Sequence, residues 1–258
     1  MPAAPKTRAA TRPADVPPVV RHELNAGTRE TRKLAEGLAV DFAALLLAAA
    51  PELPAAAHAR MQAMSGGGVT RRCALAGELL LAGFGPGGFG RFSAHASDTV
   101  RGWAAYLLAA TPGLPLAARL KKIRALADDP HFGVREWAWL AQRPAVAAEP
   151  AAAIRLLTPW TAEASPNLRR FATEVTRPRG VWCAHLSLLK ERPELGLPLL
   201  DPLRADPERY VQNSVANWLN DAAKSRPDFV RELCARWRKE SPGPATDHIR
   251  RRALRSVR

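Results

Sequence analysis

Four arginines and one carboxylate share the stretch NLRRFATEVTRPRG, Asn167 to Gly180. A carboxylate held among cations stays ionised. It can then stabilise positive charge developing on a bound sugar, or hold a water for attack. Here that group is Glu174, with Arg170 one helical turn before it and Arg177 one turn after. The same spacing also suits two ion pairs on a solvated helix face, and both readings stand at this point. A second carboxylate, Glu136, sits in VREWAW beside Arg135. Arg135, Arg169, Arg170, Arg177 and Arg179 are cations of the kind that contact phosphates.

These residues must be carried on helices. Leu168, Phe171, Ala172 and Val175 recur at the spacing of a buried helical stripe, which predicts that Glu174 points outward between Arg170 and Arg177. In the preceding copy the stripe is Val134, Trp137, Ala138 and Ala141. At 100° per residue Glu136 lies about 200° from Val134 and Glu174 about 240° from Leu168, so the two carboxylates point in nearly one direction from adjacent helices. They are expected to line a common cleft. A third helix, VQNSVANWLNDAAK from Val211, has the stripe Val211, Ser214, Val215, Trp218 and Ala222. Its other ridge carries Asn213, Asn217, Asn220 and Lys224. Asparagine is a poor helix former, so this ridge reads either as phosphate and sugar contacts or as a solvated face. Trp137 and Trp218 read as packing residues. Trp139 and Trp182 are the candidates for stacking on a base or sugar, where a π-face favours a cation.

The helices belong to a repeat. The phrase apolar-Arg-x-x-Ala appears as VRGWA, VREWA, LRRFA and IRRRA, with looser copies TRRCA and VQNSV. Its second position falls at Arg71, Arg101, Arg135, Arg169, Gln212 and Arg250, with spacings of 30, 34, 34, 43 and 38 residues. A turn followed by an amphipathic helix at such a period is the signature of an α-solenoid, and the valine-arginine opening after an aspartate resembles HEAT repeats. The expected fold is all-α, an α-α superhelix of HEAT-like repeats forming one body over residues 21–258. Residues 1–20, basic and rich in Pro and Ala, are expected to be a disordered tail.

Composition narrows the partner. Lys and Arg number 38 against 24 Asp and Glu, a net charge of +14, and the pI is near 10.9. That balance points to a polyanion. Cys73, Cys183 and Cys234 are far apart with no metal-ligand spacing around them, so they read as buried thiols of a reducing compartment, with no disulfide and no metal site. No signal peptide or membrane span is apparent, and a cytoplasmic protein is expected. GFGPGGFG follows a helical pattern and lacks a βαβ context, so it reads as a loop rather than a dinucleotide site. His131 and His185 are isolated and read as structural.

The strings LRRFATEVTRPRGVW, VREWAW…RP and SVANWLNDAAKSRPDFV, with HELNAGTRETRKLAEGLAVDFAALL near the start, resemble the DNA alkylation repair glycosylases of the AlkC/AlkD superfamily, and AlkC more closely. The resemblance covers nearly the whole chain after the tail. It implies a HEAT-like solenoid whose basic concave surface cradles double-stranded DNA, acting as a monomer without a cofactor. It implies hydrolysis of the N-glycosidic bond of cationic N-alkylated bases such as 3-methyladenine, without base flipping. Glu136 and Glu174 match the positions of the two catalytic carboxylates. Two other functions remain open: a non-catalytic HEAT scaffold that binds nucleic acid by charge, and an adaptor whose groove takes an acidic peptide.

Overall fold

The computed structural model describes residues 12–257 and is helical throughout them, with no strand. The expected all-α class holds. Contacts divide the chain into two compact units, the first ending at Thr111 and the second beginning at Pro112. The first eleven residues of the expected tail lie outside the described residues. The rest of that tail is ordered from Pro13: a short 3₁₀ turn spans Pro13–Asp15, and helix α1 already starts at Pro18.

The first unit contains α1 (Pro18–Asn25), α2 (Leu34–Ala39), α3 (Phe42–Ala49), α4 (Ala55–Ala63), α5 (Val69–Phe84), α6 (Gly88–Ser93) and α7 (Asp98–Ala110). Its centre is the packing of α5 on α7. Gly77 makes that approach possible: a Cβ there would stand 2.5 Å from the Tyr106 carbonyl carbon. Trp103 on α7 is fully buried, its ring centroid 5.2 Å from that of Phe42. The GFGPGGFG stretch is the α5–α6 junction, with a turn at Gly85–Gly87 between two helix ends.

The second unit contains α8 (Leu116–Ala127), α9 (Phe132–Ala148), α10 (Pro150–Leu157), α11 (Pro166–Glu174), α12 (Ser187–Glu191), α13 (Leu197–Leu200), α14 (Arg209–Ala223), α15 (Pro227–Glu240) and α16 (Pro244–Ala253). Here α9 packs on α8, α11 on α14, and α14 in turn on α16. The stripes of α11 and α14 are buried as expected, including Leu168, Phe171, Val175, Val211, Val215 and Trp218. In α9 the stripe residues Val134, Ala138 and Ala141 are buried as expected, whereas Trp137 is only half-buried and Trp139 is buried. His131 caps α9, its Nδ1 accepting from the Gly133 amide at 3.1 Å.

The repeated second-position residue has a structural task. Nη1 of Arg101 donates to the carbonyls of His95 and Ala96, Nη1 of Arg135 to those of Asp129 and Pro130, and Nη1 of Arg169 to those of Glu163 and Ala164. Nε2 of Gln212 does the same with Asp206 and Pro207. In each case a side chain near the start of the helix reaches back to the two carbonyls of the incoming turn, which would otherwise lack partners. The other end of Arg101 meets Glu30, that of Arg169 grips Asp206 through two nitrogens, and that of Arg135 meets the Tyr210 hydroxyl. Arg135 and Arg169 thus hold their own turns.

Candidate active site

Three helices of the second unit bring the charged residues together. Arg170 on α11 is the pivot. Its Nη2 lies 3.2 Å from Glu136 Oε1 on α9 and 3.2 Å from Glu174 Oε1 on its own helix. Its guanidinium stacks over the Tyr210 ring at 4.1 Å and donates to the Tyr210 carbonyl. The line of charge continues from Glu174 to Arg177 at 3.1 Å and from Arg177 to Asp221 on α14 at 2.8 Å. Burial works against the Arg170 and Arg177 charges, but Glu174 and the other acidic neighbours more than offset it, holding both guanidinium groups above their ordinary values.

The two carboxylates are brought together, but they differ in depth. The Glu136 side chain is 39% exposed, whereas residue Glu174 is only 1% exposed. Glu174 was expected on an outward ridge. It is buried because α14 packs over that side of α11: Ser214 Oγ meets Thr173 Oγ1 at 2.5 Å, and Asp221 reaches Arg177. Both ion pairs implied by the spacing are present, yet they are buried rather than solvated. Glu174 Oε2 accepts from Arg177, while Oε1 receives no hydrogen bond of good geometry. Glu136 Oε2 accepts from the Trp139 indole at 3.0 Å. Between them, lined by Glu136, Trp139, Arg170, Glu174 and Tyr210, is a recess of ≈ 10 Å³, the size of about one water.

The remaining expected contacts separate into exposed and internal residues. Trp139 is 4% exposed, so its indole serves Glu136 and offers no open face for stacking. Trp182 is 55% exposed and stands at φ +61°, the left-handed region that a bulky residue rarely occupies. Arg179 donates to the Asp221 carbonyl and to Ser225, and Lys224 is exposed near Asp221. The asparagine ridge is the seam with α16 rather than an open face. Asn220 is 2% exposed and donates to the Ala253 carbonyl and Ser256 Oγ. Asn213 pairs with His248, and Asn217 accepts from Arg255.

Three contributors escaped the sequence reading. Arg143, buried in α9, donates to the carbonyls of Val175, Arg177 and Ala184, and so braces the segment that carries Arg177, Arg179 and Trp182. Gly180 permits this packing, since a Cβ there would collide with Cys183 Sγ and press on the Arg143 guanidinium. Cys183 is half-buried, not buried like Cys73 and Cys234, and burial raises its thiol pKa despite Arg143 and Arg177. Tyr210 and Asp221 complete the set. The only available signal for Arg143 was the Arg-Pro pair after VREWAW; Asp221 lies within SVANWLND, and nothing local marked Tyr210. Among the described residues no His/Cys/Asp/Glu group is arranged to hold a metal, and no helix is long and apolar enough to cross a membrane.

Comparison with solved structures shows where else this fold occurs. Pseudomonas fluorescens alkylpurine DNA glycosylase AlkC, bound to DNA containing an abasic site analog, superposes over 96% of this chain and 65% of its own, with a TM-score of 0.69 and 24% identity. The chain shares the fold of AlkC. AlkD2 from Streptococcus mutans matches over 77% of this chain and 98% of its own, with a TM-score of 0.57 and 18% identity. Among curated proteins, the uncharacterized protein YhaZ of Bacillus subtilis is 33% identical over 137 residues, 53% of this chain and 37% of that protein. The chain thus spans well under half the length of the curated relative it matches and about two thirds of AlkC. No model of a protein family matches the chain.

Proposed function

We propose that this chain is a DNA glycosylase that hydrolyses the N-glycosidic bond of cationic N-alkylated bases, the 3-methyladenine class, in double-stranded DNA, with the base left in the duplex rather than flipped out. The observation that carries the reading is the pair of carboxylates sharing Arg170, one outward and one buried, within a fold it has in common with AlkC.

A cationic base leaves as a neutral one, taking the electron pair of the C1′–N bond, so no general acid is required. Positive charge passes to the sugar as an oxocarbenium ion. Glu136, exposed and oriented by Arg170 and Trp139, supplies negative charge there and accepts the proton of the water that attacks C1′. Arg170 does not cancel that charge, because its single positive charge is divided between Glu136 and Glu174; the three together keep one net negative charge. Glu174 lies too deep to touch a nucleotide with Arg170 in place. Its role is to position Arg170 and Arg177, in place of the direct catalytic contact first expected of it. Trp182 is the open aromatic face available to the duplex.

Release of free base from methylated duplex DNA, followed by chromatography, tests the reading with wild type beside Glu136→Gln. Wild type should release 3-methyladenine. Glu136→Gln should bind the duplex and lose release by a factor on the order of 10². Full activity in that variant would remove Glu136 from the chemistry. Salt-sensitive duplex binding by wild type with no base released would instead favour the non-catalytic scaffold.

A further inference from the structure

The arginines that first drew attention are spoken for: Arg135, Arg169, Arg170 and Arg177 are paired inside the protein. A cation already facing a buried carboxylate has little attraction left for a phosphate. The unspent charge lies elsewhere. On α16 and the turn after it, His248, Arg251, Arg252 and Arg255 fall at the spacing of one helical face, away from Ile249 and Ala253, which are buried. Arg251, Arg252 and Arg255 are exposed, as is Arg209 at the start of α14. The side chains of Arg209, Arg251 and Arg252 have no hydrogen-bond or carboxylate partner among the described residues.

The strip is built rather than fortuitous. The α14–α16 seam fixes it through Asn213–His248 at 2.9 Å and Asn217–Arg255 at 3.1 Å. Arg209, Arg252 and Arg251 all lie close enough to His248 to add to burial in lowering its imidazole pKa. Asp247, the nearest carboxylate in sequence, is taken by Arg250 at 2.9 Å. The strip also adjoins the candidate site, since Arg209 precedes Tyr210, on which Arg170 stacks.

We propose that Arg209, Arg251, Arg252 and Arg255, arrayed along the α14–α16 seam, form a phosphate-binding strip that holds the sugar-phosphate backbone of the duplex beside the carboxylate pair. This rests on the proposed function for the identity of the polyanion, but not on the chemistry at Glu136. The strip contacts backbone, not base edges, and so adds affinity without sequence preference.

The experiment is the salt dependence of duplex affinity for wild type and for the Arg251→Ala/Arg252→Ala double variant. Two lost phosphate contacts should reduce the slope of log K against log salt by about 2. Arg251→Lys/Arg252→Lys should restore most of that slope, because a point charge suffices. Arg238→Ala/Lys239→Ala, which removes two exposed cations of α15, should leave it near wild type. Equal slopes for the two alanine pairs would overturn the strip and leave α16 a solvated cap. If wild type released no base and the strip variant still lost slope, the strip would stand and the glycosylase reading would fall; base release with unchanged slope would mean the reverse.

Discussion

The Trp139 indole nitrogen donates to Oε2 of Glu136, one turn back on the same helix, at 3.0 Å. This contact fixes the one carboxylate that reaches solvent, while Arg170 holds its other oxygen. Trp139→Phe keeps the ring and removes the donor. A hydrogen bond to a charged group contributes about 1.5–3 kcal/mol, so base release should fall roughly 10-fold or more. The effect should appear in the single-turnover rate with duplex affinity held. Equal losses in rate and thermal stability would mark Trp139 as packing alone.

Trp182 stands at positive φ on a segment braced by Arg143. Strain of this kind costs on the order of 1–3 kcal/mol. Trp182→Gly should therefore be neutral or stabilising in thermal denaturation while weakening duplex binding. A variant that binds as well as wild type would leave the exposed indole without a role at the duplex.

The clamp on each incoming turn predicts a stability effect remote from chemistry. Gln212→Leu removes the donor shared by the Asp206 and Pro207 carbonyls and keeps the bulk. The loss should be about 1–3 kcal/mol in chemical denaturation, with base release per folded molecule near wild type. Unchanged stability would show that the clamp contributes nothing.

His95 offers a pH dependence in the first unit. Its Nδ1 accepts from the Ser97 amide at 3.0 Å, and burial, Arg101 and Arg91 lower its pKa. The folded state thus prefers the neutral ring, so stability is intact above the unfolded value, about 6.5, and declines as pH falls from there through the lowered folded value. His95→Asn keeps a side-chain acceptor for the same amide without titrating. Its melting temperature should fall less than that of wild type between pH 7 and pH 5. Parallel curves would assign the acid sensitivity to other groups.

Much of the fold was legible because burial stripes are periodic: Leu168, Phe171 and Val175, or Val211, Val215 and Trp218, announce which side of a helix meets its core. A stripe does not say what covers the opposite side. Glu174 is expected in solvent, and the asparagines of α14 on an open ridge, but neighbouring helices close over those faces. The repeat was read correctly as a repeat, but the sequence did not show that Arg101, Arg135, Arg169 and Gln212 donate to the carbonyls of their own incoming turns. Proximity of Glu136 and Glu174 followed from helical angles, whereas their difference in depth came from α14. Arg143, Tyr210 and Asp221 act across 32 to 75 residues of sequence, a separation that leaves no local pattern.

The string Glu136–Arg170–Glu174–Arg177–Asp221, buried beyond Glu136, and the exposed α16 strip respond to their surroundings on different scales. Added salt screens exposed charges within a Debye length of about 8 Å at physiological strength, while ions packed against one another inside the protein scarcely feel it. On the proposed reading, capture of the polymer is tuned by ionic conditions while the geometry at the reacting sugar stays as it was. Holding on and reacting then fall to separate sets of charges, and either one can be adjusted without redesigning the other.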